Sequence, residues 1–268
     1  MARRHYDFIA GLGGACCCSQ ALRAAGLQFA SLPFDWVAGS DIRTRADQIR
    51  DDFAGWLPKD ALEPYQFETT NTGVVMRNVR TGVVFPHDFH RDVPFDVEWP
   101  QVAAKCRRRI DRLSRLVERS KRVLIVWIDV RLSPFATDED VGYVLNAFRT
   151  RWPHVTFELL HLRHEEGLSF ESRADVEADG VRTVAFDYRD RRQKYWLADH
   201  EAIGRWLARE YAVADYRTPE ERANGRRIAR AKRYARFRAS GFADYLRTKL
   251  EYKLFVHLRK RLERKGVV

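Results

Sequence analysis

The chain has 268 residues, of which 45% are hydrophobic, 12% aromatic and 32% charged. This excludes wholesale disorder and a collagen-like or low-complexity fibre, and no apolar run reaches the ~18 residues of a membrane span. The net charge of +11 is concentrated: residues 217–268 hold 17 Lys+Arg against 5 Asp+Glu, leaving 31 basic and 32 acidic residues elsewhere. The expected organisation is an α/β domain over 1–216 and a basic amphipathic helical extension over 217–268. The start is basic but leads only into Phe8 to Ala10 before glycines, so no signal peptide is expected and the protein reads as cytoplasmic.

The four cysteines are Cys16, Cys17, Cys18 and Cys106. Adjacent cysteines bridge poorly, and no spacing suits zinc, so neither a disulfide framework nor a metal is expected, and a reducing compartment is the natural setting. Nothing implies a cofactor.

In chain order, Tyr6 to Leu12 is β-like and runs through Gly11, Gly13 and Gly14 into a helix that Gly26 stops. The cysteines therefore sit in the first turn of that helix. Leu32-Pro33-Phe34-Asp35-Trp36 forms a loop. Asp41 caps a broken helical stripe reaching about Leu57. Gly73 to Arg77 and Gly82 to Phe85 suggest a hairpin, the second run ending in Pro86-His87-Asp88-Phe89-His90. Val102 to Arg119 is a basic helix with Val102, Cys106, Ile110, Leu113, Leu116 and Val117 on its apolar stripe, which makes Cys106 a packing residue. Val123 to Ile128 is a strand buried on both faces. Thr137 caps a helix from Asp138 to about Arg151, followed by strands at Val155 to Leu160 and Val181 to Phe186 and a helix from Trp196 to Tyr211. This alternation predicts a layered α/β fold with a mixed, largely parallel sheet.

The chemistry these residues suggest centres on Cys16. Amides and the positive end of a helix favour thiolate over thiol, and a nearby imidazole adds to this and shuttles the proton. His87 and His90 are available at a strand end, with Asp88, Asp35 and Asp129 as acids to orient an imidazole. Packing is the commoner role for a cysteine in such an element, and Asp35 in Pro-Phe-Asp-Trp has the makings of a turn-former.

The runs Leu12-Gly13-Gly14-Ala15-Cys16, Leu22-Arg23-Ala24-Ala25-Gly26-Leu27 and Ser31-Leu32-Pro33-Phe34-Asp35-Trp36 are followed in order by His87-Asp88-Phe89 and Arg108-Arg109-Ile110-Asp111-Arg112. Together they resemble a bacterial domain family of unassigned function, DUF1796, whose members are described as papain-like cysteine peptidases. The resemblance covers roughly residues 6 to 215. It implies that Cys16 takes the family's cysteine position and His87 its histidine position, with Cys17 and Cys18 as bystanders. It leaves the third member open, Asp88 ahead of Asp35. It also implies an α+β papain-like fold, against the layered sheet that the periodicity predicts.

The resulting expectation is acyl transfer on an unknown acyl or peptide substrate. Cys16 attacks a carbonyl, His87 carries the proton, and the turn of Gly13, Gly14 and Cys17 supplies the oxyanion amides. The alternative is a nucleotide- or sugar-binding protein of cell-surface polysaccharide assembly, with Gly11-x-Gly13-Gly14 holding phosphate on free amides. In the extension, Leu246, Leu250, Leu254, Leu258 and Leu262 recur every four residues among cations. That fits a helix on an anionic membrane surface or one docked on the domain, ahead of nucleic-acid binding.

Overall fold

Apolar runs of four to seven residues alternate with helical stripes, and the computed structural model shows what they build. It describes residues 2–66, 73–131, 133–189 and 198–224. The chain divides into two units, Met1–Tyr216 and Arg217–Val268. In the second unit Thr218 and Glu221 cap one another at the start of a helical turn over 219–224. The leucine-rich helix expected beyond it lies outside the described residues.

In the first unit the strands are β1 (Arg4–Tyr6), β2 (Phe8–Gly11), β3 (Leu62–Pro64), β4 (Val74–Asn78), β5 (Val84–Phe89), β6 (Arg122–Ile128), β7 (Thr156–His164), β8 (Ala174–Ala178), β9 (Val181–Phe186) and β10 (Tyr211–Val213). The helices are α1 (Cys16–Ala24), α2 (Ile42–Arg50), α3 (Phe95–Glu118), α4 (Asp138–Arg151) and α5 (His200–Glu210). The main sheet has the order β2-β6-β7-β9-β8, parallel except for the edge strand β8. Its faces follow the two-residue period of a strand. Phe8, Ala10, Val123, Ile125, Trp127, Phe157 and Leu159 pack with residues of α2, α3 and α4. Ile9, Leu124, Val126, Ile128, Leu160, Leu162 and Val184 pack with residues of α1 and α5. The result is the layered α/β architecture that the periodicity predicts, not the α+β arrangement implied by the papain-like resemblance.

A small antiparallel sheet, β3-β4-β5, adjoins it. Phe34, Phe53, Trp56 and Phe85 interlock edge-on or tilted and join this sheet to the segment after α2. Ala38 exchanges two backbone hydrogen bonds with Val84, which lays the Pro33–Trp36 3-10 turn along β5.

Several elements differ from expectation for identifiable reasons. Asp41 caps α2 through Thr44, but the helix ends at Arg50 because Asp52 and Phe53 adopt left-handed φ of 51° and 59°. Trp56 therefore packs from a turn. Strand β5 continues through Phe89, so the Pro-His-Asp-Phe run is strand and not the loop after one. Helix α3 begins at Phe95, seven residues before its apolar stripe. The edge strand β8 has no apolar pattern to betray it, since all five residues are exposed. Helix α5 starts at His200, where the Asp199 side chain caps it.

Candidate active site

The four parallel strands deliver their carboxyl ends to one edge of the main sheet, where open α/β sheets place their ligands. Cys16 lies there, at the first position of α1 and half-buried. The turn before it requires glycine twice. Gly13 has φ +38°, and a Cβ there would lie 2.3 Å from the Cys18 Cβ. A Cβ on Gly14 would lie 2.7 Å from both the Ile128 carbonyl and Val130. The Gly13 and Gly14 amides donate to the Val126 and Ile128 carbonyls at 3.2 and 3.1 Å. This corrects the expectation for both glycines: they shape the turn but are spent as donors, for an oxyanion or a phosphate alike. The amides left open by the helix start are those of Cys16 and Cys17, which face the Cys16 sulfur.

The expected thiolate is not the resting state. Burial pushes the Cys16 thiol up, outweighing the downward pull of those two amides. Cys17 is fully buried, its sulfur near the Ala198 amide, and burial raises it to about 12. Cys18 is pushed well up by the same cause, and its thiol points at the Val126 carbonyl, 3.6 Å away. Both are core side chains. Cys106 packs on the inner face of α3, as its stripe predicts, and burial raises it to about 11.

His87 is the one exposed residue of β5. Asp88 follows it and, by the alternation of a strand, turns to the opposite face. There it is buried against Lys105 at 2.7 Å, with Arg109 at 3.9 Å. Asp88 therefore pairs with α3 and does not orient His87. Asp35 is buried in the 3-10 turn. One carboxylate oxygen accepts from the Leu32 amide, Gln28 and Arg23 at 2.8, 2.7 and 3.4 Å, while the other has no partner among the described residues. Burial raises it against those donors. It organises the loop and makes no bond to His87. His90 pairs with Glu98 of α3.

No hydrogen bond joins Cys16 to His87 among the described residues. A stack joins His87 to Arg23, further along the helix that Cys16 begins. Cys16, Gln20 and Arg23 form a partly exposed stripe of α1. The Arg23 guanidinium folds back to Ser19 at 3.3 Å, about one helical turn (~5 Å) from Cys16. Trp36 lies against that guanidinium at 5.6 Å, and the His87 ring meets Trp36 edge-on at 6.3 Å.

Sequence reasoning missed the groups that fix the turn. Arg45 of α2 is fully buried, donates to the Leu12, Gly13 and Gly14 carbonyls and to Ser40, and lies over Trp127 at 5.2 Å. Burial lowers it to about 9, which leaves it cationic at neutral pH. Trp127 donates to Asp129, and Asp129 also accepts from the Ala136 amide and pairs with His161 at 3.0 Å. Asp129 thus orients an imidazole, but that of His161, and both side chains are fully buried. A second pair, His164 and Asp187 at 3.1 Å, lies at the carboxyl ends of β7 and β9. An arginine inside a polar helix and histidines inside an apolar strand give no pattern signal. Among the described residues no group of three or more His, Cys, Asp or Glu side chains could hold a metal ion, and no helix is long and apolar enough to cross a membrane.

The sequence of the family described as "putative papain-like cysteine peptidase (DUF1796)" matches residues 7–167, more than half of the chain and all of the Cys16 and His87 elements. The chain belongs to this family. No curated protein and no solved structure matches it. The sheet carrying Cys16 is layered and largely parallel.

Proposed function

We propose that the protein is a thiol-dependent acyl hydrolase or transferase in which Cys16 is the nucleophile and His87 the general base. The observation that carries this reading is the Arg23–Trp36 stack, which links the stripe of α1 bearing Cys16 to the His87 ring. A thiol held protonated by burial needs a base at the moment of attack. His87 takes the Cys16 proton as sulfur adds to the acyl carbonyl, and returns it to the leaving group as the thioester forms. Water, or a second acceptor, then attacks the thioester and regenerates the thiol. The Cys16 and Cys17 amides face the oxyanion. Trp36, not a carboxylate, holds the imidazole.

The test is acylation by p-nitrophenyl acetate followed by peptide mapping. The acyl group is expected on Cys16, absent in Cys16→Ser, with His87→Ala slowing its arrival ~100-fold or more. Label on other residues, or a rate indifferent to His87, defeats the reading. A second reading makes His164 the base, because it has the carboxylate partner that His87 lacks; His164→Ala would then replace His87→Ala as the slow variant. The nucleotide or sugar alternative has lost the Gly13 and Gly14 donors it required. For the basic extension we propose an anionic membrane surface as partner. Vesicles of phosphatidylcholine and phosphatidylserine should pellet the full chain in a salt-sensitive way, and a chain lacking residues 218–268 should stay in solution.

A further inference from the structure

Strand β5 ends at Phe89, and the chain turns through 90–94 into α3. Between this turn, the start of α3 and the β3–β4 pair lies a cavity of about 330 Å³. Its walls are described residues throughout, and neither Cys16 nor His87 lines it. Leu62, Val74, Met76, Phe89, Val93 and Phe95 make it apolar, with the Phe89 and Phe95 rings 5.6 Å apart. Protein interiors leave few voids larger than a water molecule. A void of this size with apolar walls and a few convergent polar groups has the form of a small-ligand site.

The polar lining is three residues that stand together. The Glu98 side chain is only 9% exposed and already engaged: one oxygen accepts from the His90 amide at 2.8 Å, and the other pairs with His90 Nδ1. That pairing fixes the imidazole, whose side chain is 66% exposed, and leaves Nε2 as the ring atom a ligand meets. Arg91, the next residue, is exposed, and its side chain makes no hydrogen bond or ion pair among the described residues. The mouth of the cavity therefore offers a guanidinium and an imidazole nitrogen, while the carboxylate beside them is matched within the protein. An apolar interior with a basic mouth is complementary to an aliphatic chain that ends in a carboxylate.

We propose that this cavity binds a medium-chain fatty acid, its chain among Met76, Phe89 and Phe95 and its carboxylate on Arg91 and His90. The site uses none of the acyl-transfer groups, so the proposal stands apart from that reading.

Calorimetric titration of the full chain with hexanoate, octanoate and decanoate tests it. Each CH2 buried should tighten binding about fourfold, hence about fifteenfold per step of this series. Decanoate should bind at least ~10-fold tighter than decylamine, which has the same chain and the opposite charge. Val93→Trp, which fills the void from the turn, should abolish decanoate binding, Arg91→Gln should weaken it at least ~5-fold, and Cys16→Ser should leave it within ~2-fold. Binding that survives Val93→Trp, as adsorption to the basic extension would, overturns the proposal. So does an affinity unmoved by Arg91→Gln, a variant at an exposed position that keeps the test open if Val93→Trp does not fold. Decylamine binding as tightly as decanoate, no saturable binding of any of the three acids, or loss of decanoate binding in Cys16→Ser would each overturn it as well.

Discussion

The turn that carries Cys16 and the strand that carries His87 are built on opposite principles. Around the turn every choice is forced: two glycines that tolerate no Cβ, a buried guanidinium on three successive carbonyls, and Ser133 on one of them at 2.5 Å. Around His87 the backbone is fixed by β4 and Ala38, but the imidazole stands exposed, with the Trp36 ring against it. In the proposed mechanism the nucleophile is thus rigidly placed, while the base is an exposed ring set against Trp36. That division suits a thiol kept neutral until a substrate brings the imidazole into play.

The largest expected effect breaks the turn. Arg45→Leu would strand the Leu12 and Gly13 carbonyls and leave the Gly14 carbonyl to Ser133 alone, and urea unfolding should show a loss of about 3–5 kcal/mol. Asp129→Ala unpairs the Trp127 indole, the Ala136 amide and His161 together, and about 2–4 kcal/mol should disappear in the same assay. On the His87 side the effects shrink. Asp88→Asn should cost about 1–2 kcal/mol through Lys105, and the pH dependence of acylation should not move, because the carboxylate faces away from the imidazole. A shifted profile would restore Asp88 as the orienting acid. His87→Ala should leave unfolding within ~0.5 kcal/mol, as an exposed side chain does, while acylation collapses.

The Cys17 thiol is raised from its ordinary value near 9 to about 12 by burial. The unfolded chain therefore releases this proton first, and between pH 9 and 12 it binds fewer protons than the folded one. The stabilising difference is fully present below pH 9 and is lost progressively as pH rises to 12. Unfolding of Cys17→Ala compared with the unaltered chain should show that the decline in this window is shallower without the thiol. Parallel curves would mean that Cys17 is not held neutral.

How much of this was legible depended on the range of the interaction. The strand at Val123 to Ile128 and the helix capped by Thr137 announce themselves through apolar runs and a capping residue. Cys16 at a helix start follows from Gly13 and Gly14 with the helix-favouring residues up to Gly26. His87 was visible as a residue, but its neighbour misled: adjacency in sequence places Asp88 on the other face once β5 runs through both. Arg45, thirty-odd positions from the carbonyls it holds, left no trace in local pattern. Burial reversed the expected sign at Cys16, since helix-end amides are a local signal and desolvation belongs to the assembled fold.

The pH profile of Cys16 acylation by p-nitrophenyl acetate, with and without His87→Ala, decides whether this imidazole serves this thiol. The unaltered protein should gain rate between about pH 5 and 8, where imidazoles change charge. His87→Ala should lose that rise and gain rate only where the buried thiol itself ionises, above the ordinary thiol range. Superimposable profiles would leave Cys16 without His87 as its base.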